Sequence, residues 1–224
     1  MSKREGLASG TNLTTTMLLV TDYATTGPAA ALARESLAFE ALEHGATTES
    51  LLFWESRQTA VVLGAFGRSD REVHVEKCGA DDVPVLRRIS GGGAVVVARG
   101  CLNYALVLSL DDRPELGGVA RSYELILGRL VKALGVPGLE ALGASDLALR
   151  EKKVAGSAQK RGRRTLLHHG TLLYDFDVAA LATYLREPPR QPTYRAGRRH
   201  QAFITNLPLA PGAIKGRLAR AWAA

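Results

Sequence analysis

VPVLRRISGGGAVVVARGCLNYALVLSL, residues 83–110, decides how this chain folds. The stretch is rich in β-branched and other apolar residues and is broken by glycines, so it reads as three strands joined by glycine-containing turns. Strands of this composition are expected at the centre of a sheet. The following segment supplies cover for one face. From Val119 to Leu134, the positions Tyr123, Ile126, Leu130 and Leu134 form a helical stripe, and Gly135 ends it.

Upstream, Met17 to Val20 reads as a short strand, followed by the turn-rich TDYATTG of residues 21–27. A helix starts at Pro28, shows Leu32, Phe39 and Leu42 on one face, and stops at Gly45. LLFW (51–54) and AVVLG (60–64) flank the polar ESRQT and are expected to pair through a tight connection. A short helix is expected near Glu72 to Cys78. Further strands are read at Leu147 to Leu149, Lys153 to Ala155 and Leu166 to Tyr174, then a helix near Val178 to Tyr184. REPPRQPTYRAGRRHQ (186–201) is rich in proline and arginine and reads as a surface loop, and a last helix runs from Pro211 to Trp222. Strand pairs with scattered helices, without regular βαβ alternation, give an α+β class with a mostly antiparallel mixed sheet flanked by helices.

The 224 residues are 46% hydrophobic and 23% charged, proportions of a globular chain that disfavour long disorder, collagen and disulfide-dense scaffolds. The excess of 29 Lys+Arg over 22 Asp+Glu leaves a formal charge of +7, which suits an acidic partner or an anionic small substrate. Cys78 and Cys101 are the only cysteines, without a CxxC pair, and no histidines stand at metal-ligand spacing. A reducing, cytoplasmic setting is expected. No signal peptide or membrane-length apolar run is read, and neither nucleic acid nor membrane is expected as a partner.

Three segments carry candidate chemistry. In Arg87-Arg88-Ile89-Ser90-Gly91-Gly92-Gly93-Ala94-Val95, glycines let the backbone approach a ligand and aim N–H groups at an anion, while guanidinium forks match carboxylate or phosphate oxygens. A flexible hairpin with solvated arginines is the alternative. In the second segment, Ser145-Asp146-Leu147 precedes Lys152-Lys153-Val154-Ala155-Gly156-Ser157-Ala158-Gln159. There a lysine beside Gly-Ser reaches oxyanions and an aspartate holds Mg²⁺, unless both are solvated hairpin residues. The third is His168-His169-Gly170-Thr171, where strand alternation points the two imidazoles to opposite faces, so at most one meets a site.

In this order RRISGGGAVV, SDL, KKVAGSAQ and HHGTLL resemble the catalytic domain of lipoate-protein ligases and their biotin-ligase relatives, with support from ARESLAFEAL and LNYALVL. The resemblance runs from about Leu18 to Leu173. It implies ATP- and Mg²⁺-dependent activation of lipoate or octanoate to an acyl-adenylate, then transfer to a lysine of an acidic lipoyl or acyl-carrier domain. It implies Lys153 as the catalytic lysine on the acyl carbonyl and phosphate oxygens, and Asp146 as the acidic residue near the metal. The implied substrate- and nucleotide-binding set is Arg88, Ser90, Gly91, Gly92, Gly93, Ala94, Val95, Asn103, Gly156, Ser157, His169, Gly170 and Thr171. An apolar tunnel is expected from residues such as Leu63, Val95 and Leu172.

The chain departs from the family pattern in places. Val97-Ala98 stands where ligases commonly carry His-Asp, and Cys101 stands where many relatives have Asn. The related octanoyltransferases place a nucleophilic Cys just before the lysine motif, whereas here the stretch is Leu142-Gly143-Ala144-Ser145-Asp146. The reading is one catalytic domain over residues 1–224, without the C-terminal accessory domain that bacterial ligases often append, which a separate protein would supply. Rivals are an octanoyl or lipoyl acyltransferase between carriers without ATP, and a non-catalytic carrier-binding protein. The basic run Arg186, Arg190, Arg195, Arg198, Arg199 and His200 is read as docking the acidic carrier, with a solvated loop, a lid over the adenylate, or contact of Arg195 and Arg198 with nucleotide phosphate as the alternatives.

Overall fold

A computed structural model describes residues 17–23, 27–188 and 191–223. The stretch before Met17, the middle of the TDYATTG turn and Arg190 lie outside them.

Among the described residues ten strands form two sheets. The larger contains β1 (Met17–Asp22), β2 (Thr48–Trp54), β6 (Cys101–Ser109), β7 (Leu139–Leu142), β8 (Asp146–Leu149), β9 (Lys152–Arg161) and β10 (Thr165–Leu173), in the order β1-β2-β6-β10-β9-β8-β7. Only β1 with β2 is parallel within it; every other pairing is antiparallel. The smaller sheet orders β4 (Val85–Arg87), β3 (Ala60–Leu63) and β5 (Val95–Val97) with β3 in the middle.

The expected pairing of LLFW with AVVLG does not occur. β2 pairs with β1 and β6, and β3 leaves for the second sheet, where it takes β4 in parallel and β5 antiparallel. LLFW and AVVL are apolar on both faces, so periodicity gave no cue to which neighbour each takes. Of the three strands read in residues 83–110, only β6 is central in the large sheet. β4 and β5 are the edges of the small one.

β6 is buried along its whole length because both faces are covered. Leu102, Tyr104, Leu106 and Leu108 face α4 (Val119–Leu134) and α7 (Pro211–Ala223) in a core with Ile126, Leu130, Ile214 and Trp222. Ala105 and Val107 face the other way, against Phe39 and Leu42 of α1 (Pro28–Glu43). As the sequence suggested, α4 stops at Gly135, which takes a left-handed φ of 56°, and Pro28 opens α1. The single helix expected near Glu72 is two: α2 (Ser69–Glu72) and α3 (Val75–Ala80), broken at Val73 and His74. Two further short helices, α5 (Ala179–Tyr184) and α6 (His200–Phe203), lie after β10. The α1-side face of β6 and β10 carries the site, because residues 103, 169, 171 and 173 point there and the small sheet stands opposite.

Candidate active site

The RRISGGG turn is held by its own arginines. Buried Arg88 donates from Nη2 to the carbonyls of Gly91 (2.7 Å) and Gly93 (2.9 Å), from Nη1 to Val62 O (3.3 Å), and from Nε to Ser90 Oγ (3.0 Å). Burial lowers its pKa while Glu35 and Glu72 act in the opposite sense. Arg87 points outward and ties the carbonyls of Gly64, Ala65 and Gly67. Glu72 accepts from Ala94 N–H (2.7 Å) and Arg68 N–H (2.9 Å), bracing the turn from outside. Arg88 is thus spent on the turn and Arg87 on the 64–67 loop, rather than left solvated.

A buried polar chain reaches the same turn from α1. Trp54 Nε1 donates to Glu35 Oε1 (2.7 Å), Glu35 Oε2 bonds His169 Nδ1 (2.5 Å), and His169 Nε2 bonds Ser90 Oγ (2.6 Å). His168 faces the opposite side, as strand alternation required, between Tyr104 (3.1 Å) and Gln159 (3.1 Å). Burial, with the neighbouring His169 adding to it, pushes the pKa of His168 down to about 3. It is a neutral core residue.

Lys153 and Asp146 meet on β8–β9. Lys153 Nζ lies 2.7 Å from Asp146 Oδ1, and Tyr194 OH donates to Asp146 Oδ2 at 2.9 Å. A register shift at Leu147/Ala148 sets Asp146 opposite Gly156. The lysine side chain folds back over that glycine, where an added Cβ would stand 2.8 Å from Nζ, so Gly156 makes room for the ammonium. Asn103 accepts from Thr171 Oγ1 (2.7 Å) beside them.

These groups line one cavity of about 850 Å³. Arg88, Gly92, Gly93, Ala94, Val95, Asn103, Asp146, Lys153, Gly156, Ser157, His169, Gly170 and Thr171 all border it. Ser90 and Gly91 do not; Ser90 is fully buried beneath the turn. One end is apolar, formed by Leu32, Trp54, Val62, Val95 and Val97. Of the expected tunnel residues only Val95 is there. Leu63 packs with Val73 and Cys78, and Leu172 joins the α4 core, each one position out of phase with Val62 or Thr171, which do face the cavity.

The basic segment covers the cavity rather than projecting from it. Pro188, Gln191, Pro192, Thr193, Tyr194, Arg195 and His200 line the wall. Arg195 is buried against Glu187 (2.5 Å) and stacks over Phe203, and His200 is buried as well. Docking by Arg195 and His200, both buried, is therefore corrected, and half-buried Arg198 donates to the carbonyls of Tyr194, Arg195 and Glu151, so the two guanidiniums hold the segment's own fold. Arg186 and Arg199 are exposed. Composition marked the charges, but it could not show that carbonyls and Glu187 were waiting for them.

Glu35, Trp54, Glu72 and Tyr194 were missed. For Glu35 there was a signal: it interrupts the stripe Ala31, Phe39, Leu42 on the buried side of α1, where a lone carboxylate demands a partner. Cys101 is fully buried, does not border the cavity, and has its pKa pushed up to about 12 by burial. Cys101→Ser is expected to keep most activity and form no hydroxylamine-sensitive acyl adduct, read by mass spectrometry after incubation with activated octanoate.

Among the described residues no group of three or more His, Cys, Asp or Glu could hold a metal ion. Asp146 and Glu35 are the two carboxylates that border the cavity, and Glu35 is occupied by Trp54 and His169. Asp146 retains a second lone pair on each oxygen, which fits a Mg²⁺ ion whose remaining ligands are phosphate oxygens and water.

Residues 27–210 match the family described as Lipoyl protein ligase A/B catalytic domain. The chain is 32% identical over 193 residues to lipoate-protein ligase A of Psychrobacter cryohalolentis, covering 85% of this chain and 53% of that protein. It is 28% identical over 171 residues to the octanoyltransferase LipM of Clostridioides difficile, covering 67% of this chain and 63% of that one. The chain thus spans about half of the first relative and under two thirds of the second. A crystal structure of lipoate-protein ligase A bound with ATP superposes with a TM-score of 0.75 at 22% identity, over 92% of this chain and 83% of that one, a likeness of fold. No described helix is long and apolar enough to cross a membrane.

Proposed function

The chain belongs to the lipoyl protein ligase A/B catalytic domain family, and from that premise we propose that it is an adenylate-forming lipoate-protein ligase. It takes lipoate or octanoate and ATP, forms the acyl-adenylate with loss of pyrophosphate, and passes the acyl group to a lysine of an acidic lipoyl or acyl-carrier domain. Residues 27–210 act as its catalytic domain.

The observation that carries this reading is the cavity itself. An apolar end framed by Trp54, Val62 and Val95 shares one space with the Lys153–Asp146 pair and the glycine turn. An acid with an aliphatic chain fits such a space with its tail among the apolar residues and its carboxylate at the lysine. Lys153 would neutralise the charge that grows on the carbonyl and α-phosphate oxygens during attack. Arg88, Ser90, Gly91 and the polar chain to Glu35 hold the turn whose Gly92, Gly93 and Ala94 border the acid. Asn103, Thr171, Gly156, Ser157 and Gly170 line the wall beside the reacting groups, and His169 closes it near Trp54. Mg²⁺, held by Asp146 and the triphosphate, would supply further charge neutralisation.

A thioester route between carriers needs a thiol in reach of the acyl group. Both cysteines are buried and neither borders the cavity, which favours the ligase over transfer of the LipM kind. The test is pyrophosphate exchange with ATP, Mg²⁺ and lipoate or octanoate, followed by the mass gain of a lipoyl domain. Acid-dependent exchange is expected. Acyl transfer between carriers without ATP would establish the transferase instead, and carrier binding with neither reaction would establish the non-catalytic reading.

A further inference from the structure

Tyr194 sits in the 3-10 turn Thr193–Arg195, inside the segment whose composition marks a surface loop. The residue is fixed from three directions. Phe203 packs against its ring at a 48° tilt with centroids 5.0 Å apart, Arg198 Nη2 bonds its backbone carbonyl at 2.6 Å, and Gly143, at a left-handed φ of 61°, lies beneath the ring without a side chain in the way. Arg198 also reaches Glu151 O at 3.0 Å, tying the turn to the hairpin that leads into β9. So anchored, the phenol aims its hydroxyl at Asp146 Oδ2, 2.9 Å away, while Asp146 Oδ1 holds Lys153 Nζ. Burial, with the Asp146 carboxylate adding to it, raises the tyrosine pKa, so the hydroxyl remains a donor.

We propose that Tyr194 is a positioning residue that locks the Asp146 carboxylate and, through it, holds the Lys153 ammonium at one point on the cavity wall. The inference rests on the role given to Lys153 above. A lysine has four rotatable bonds and a point charge, so one ion pair confines it only as well as its partner is confined. A carboxylate bound at one oxygen alone can swing about its terminal torsion, which is broad. With the second oxygen tied to a stacked ring, that freedom is lost and the ammonium is placed before substrate arrives.

Tyr194→Phe keeps the ring and its stacking and deletes only the hydroxyl. The maximal rate of acid-dependent pyrophosphate exchange should fall about tenfold, with KM for ATP and acid within about twofold of wild type. Competitive acetylation by an N-hydroxysuccinimide ester, quantified on peptides, should label Lys153 several-fold faster relative to exposed Lys160, because the freed carboxylate guards the amine less well. Tyr194→Ala should lose stacking as well and lower Tm, whereas Tyr194→Phe should leave Tm close to wild type. Exchange at the wild-type rate in Tyr194→Phe overturns the proposal. Should the wild-type protein show no exchange at all, the ligase reading fails, and the labelling still decides: unchanged Lys153 acetylation overturns the positioning role, while faster labelling sustains it.

Discussion

Lys153→Ala is expected to abolish measurable adenylate formation, with a loss of at least about 10²–10³-fold in pyrophosphate exchange, the range seen when one preorganised charge-stabilising donor is removed. The ammonium stands in the cavity wall, paired with Asp146, and among the described residues no other lysine borders the cavity to take its place. From sequence, Lys153 reads as a surface-strand residue that contributes little to stability. The geometry changes that expectation. Asp146 is 8% exposed at its side chain, so deleting the ammonium leaves a buried carboxylate held by Tyr194 alone. Lys153 itself is 30% exposed, so the destabilisation is moderate: about 1–2 kcal/mol, or a fall of about 2–8 °C in Tm. The double variant Lys153→Ala with Asp146→Asn should regain most of that Tm, since no charge is then stranded, and remain inactive. Calorimetry beside the exchange assay separates the two effects. Near-normal turnover in the single variant would remove Lys153 from the chemistry.

The contrast between α4 and β3 explains what the sequence could disclose. α4 has one apolar stripe and one polar face, and a stripe can be buried in only one way, so Tyr123, Ile126, Leu130 and Leu134 were legible at once. β3 is apolar on both sides, and Ala60 to Leu63 would suit either sheet. Its partners are chosen by β4 and β5, whose arrival depends on the glycine turn and on Arg88 reaching Val62 O across it. The same limit applies to the site. The four ordered motifs brought Arg88, Lys153, Asp146 and His169 to one cavity, because each is embedded in a distinctive local string. Glu35 comes from a helix 134 positions from His169 and Tyr194 from a loop 48 positions from Asp146, and nothing local says that a carboxylate among helical core residues ends on His169, or that a tyrosine among prolines ends on an aspartate. The arginines of residues 186–199 show the converse error. Charge density is visible in sequence, but whether a guanidinium meets water or a carbonyl is a property of the fold, and Arg195 and Arg198 meet carbonyls and Glu187.

Gly92→Val should abolish binding of both acid and nucleotide. Gly92 has a φ of 89°, in the region that glycine tolerates and a β-branched residue does not. The space is closed as well. An added Cβ would lie 2.8 Å from Arg88 Nη2, the atom that bonds the carbonyls on both sides of it, Gly91 and Gly93. Behind the turn, Gly64 packs so closely on the Gly92 carbonyl that the backbone has nowhere to retreat. A valine therefore has to flip the turn, expel the guanidinium, or both, and either movement displaces Ala94 and Val95 from the cavity wall. Gly92 lies in the turn between β4 and β5, outside the core strands β6 and β10, so the fold should survive with a reduced Tm. Isothermal titration with lipoate, and separately with an ATP analogue, should show no heat. Gly92→Ala makes the argument sharper: it adds the clash with Arg88 and a smaller backbone strain, and should weaken binding by an intermediate amount. Wild-type affinity in Gly92→Val would mean that the triple glycine serves only as a turn, and that the acid is held elsewhere along the wall.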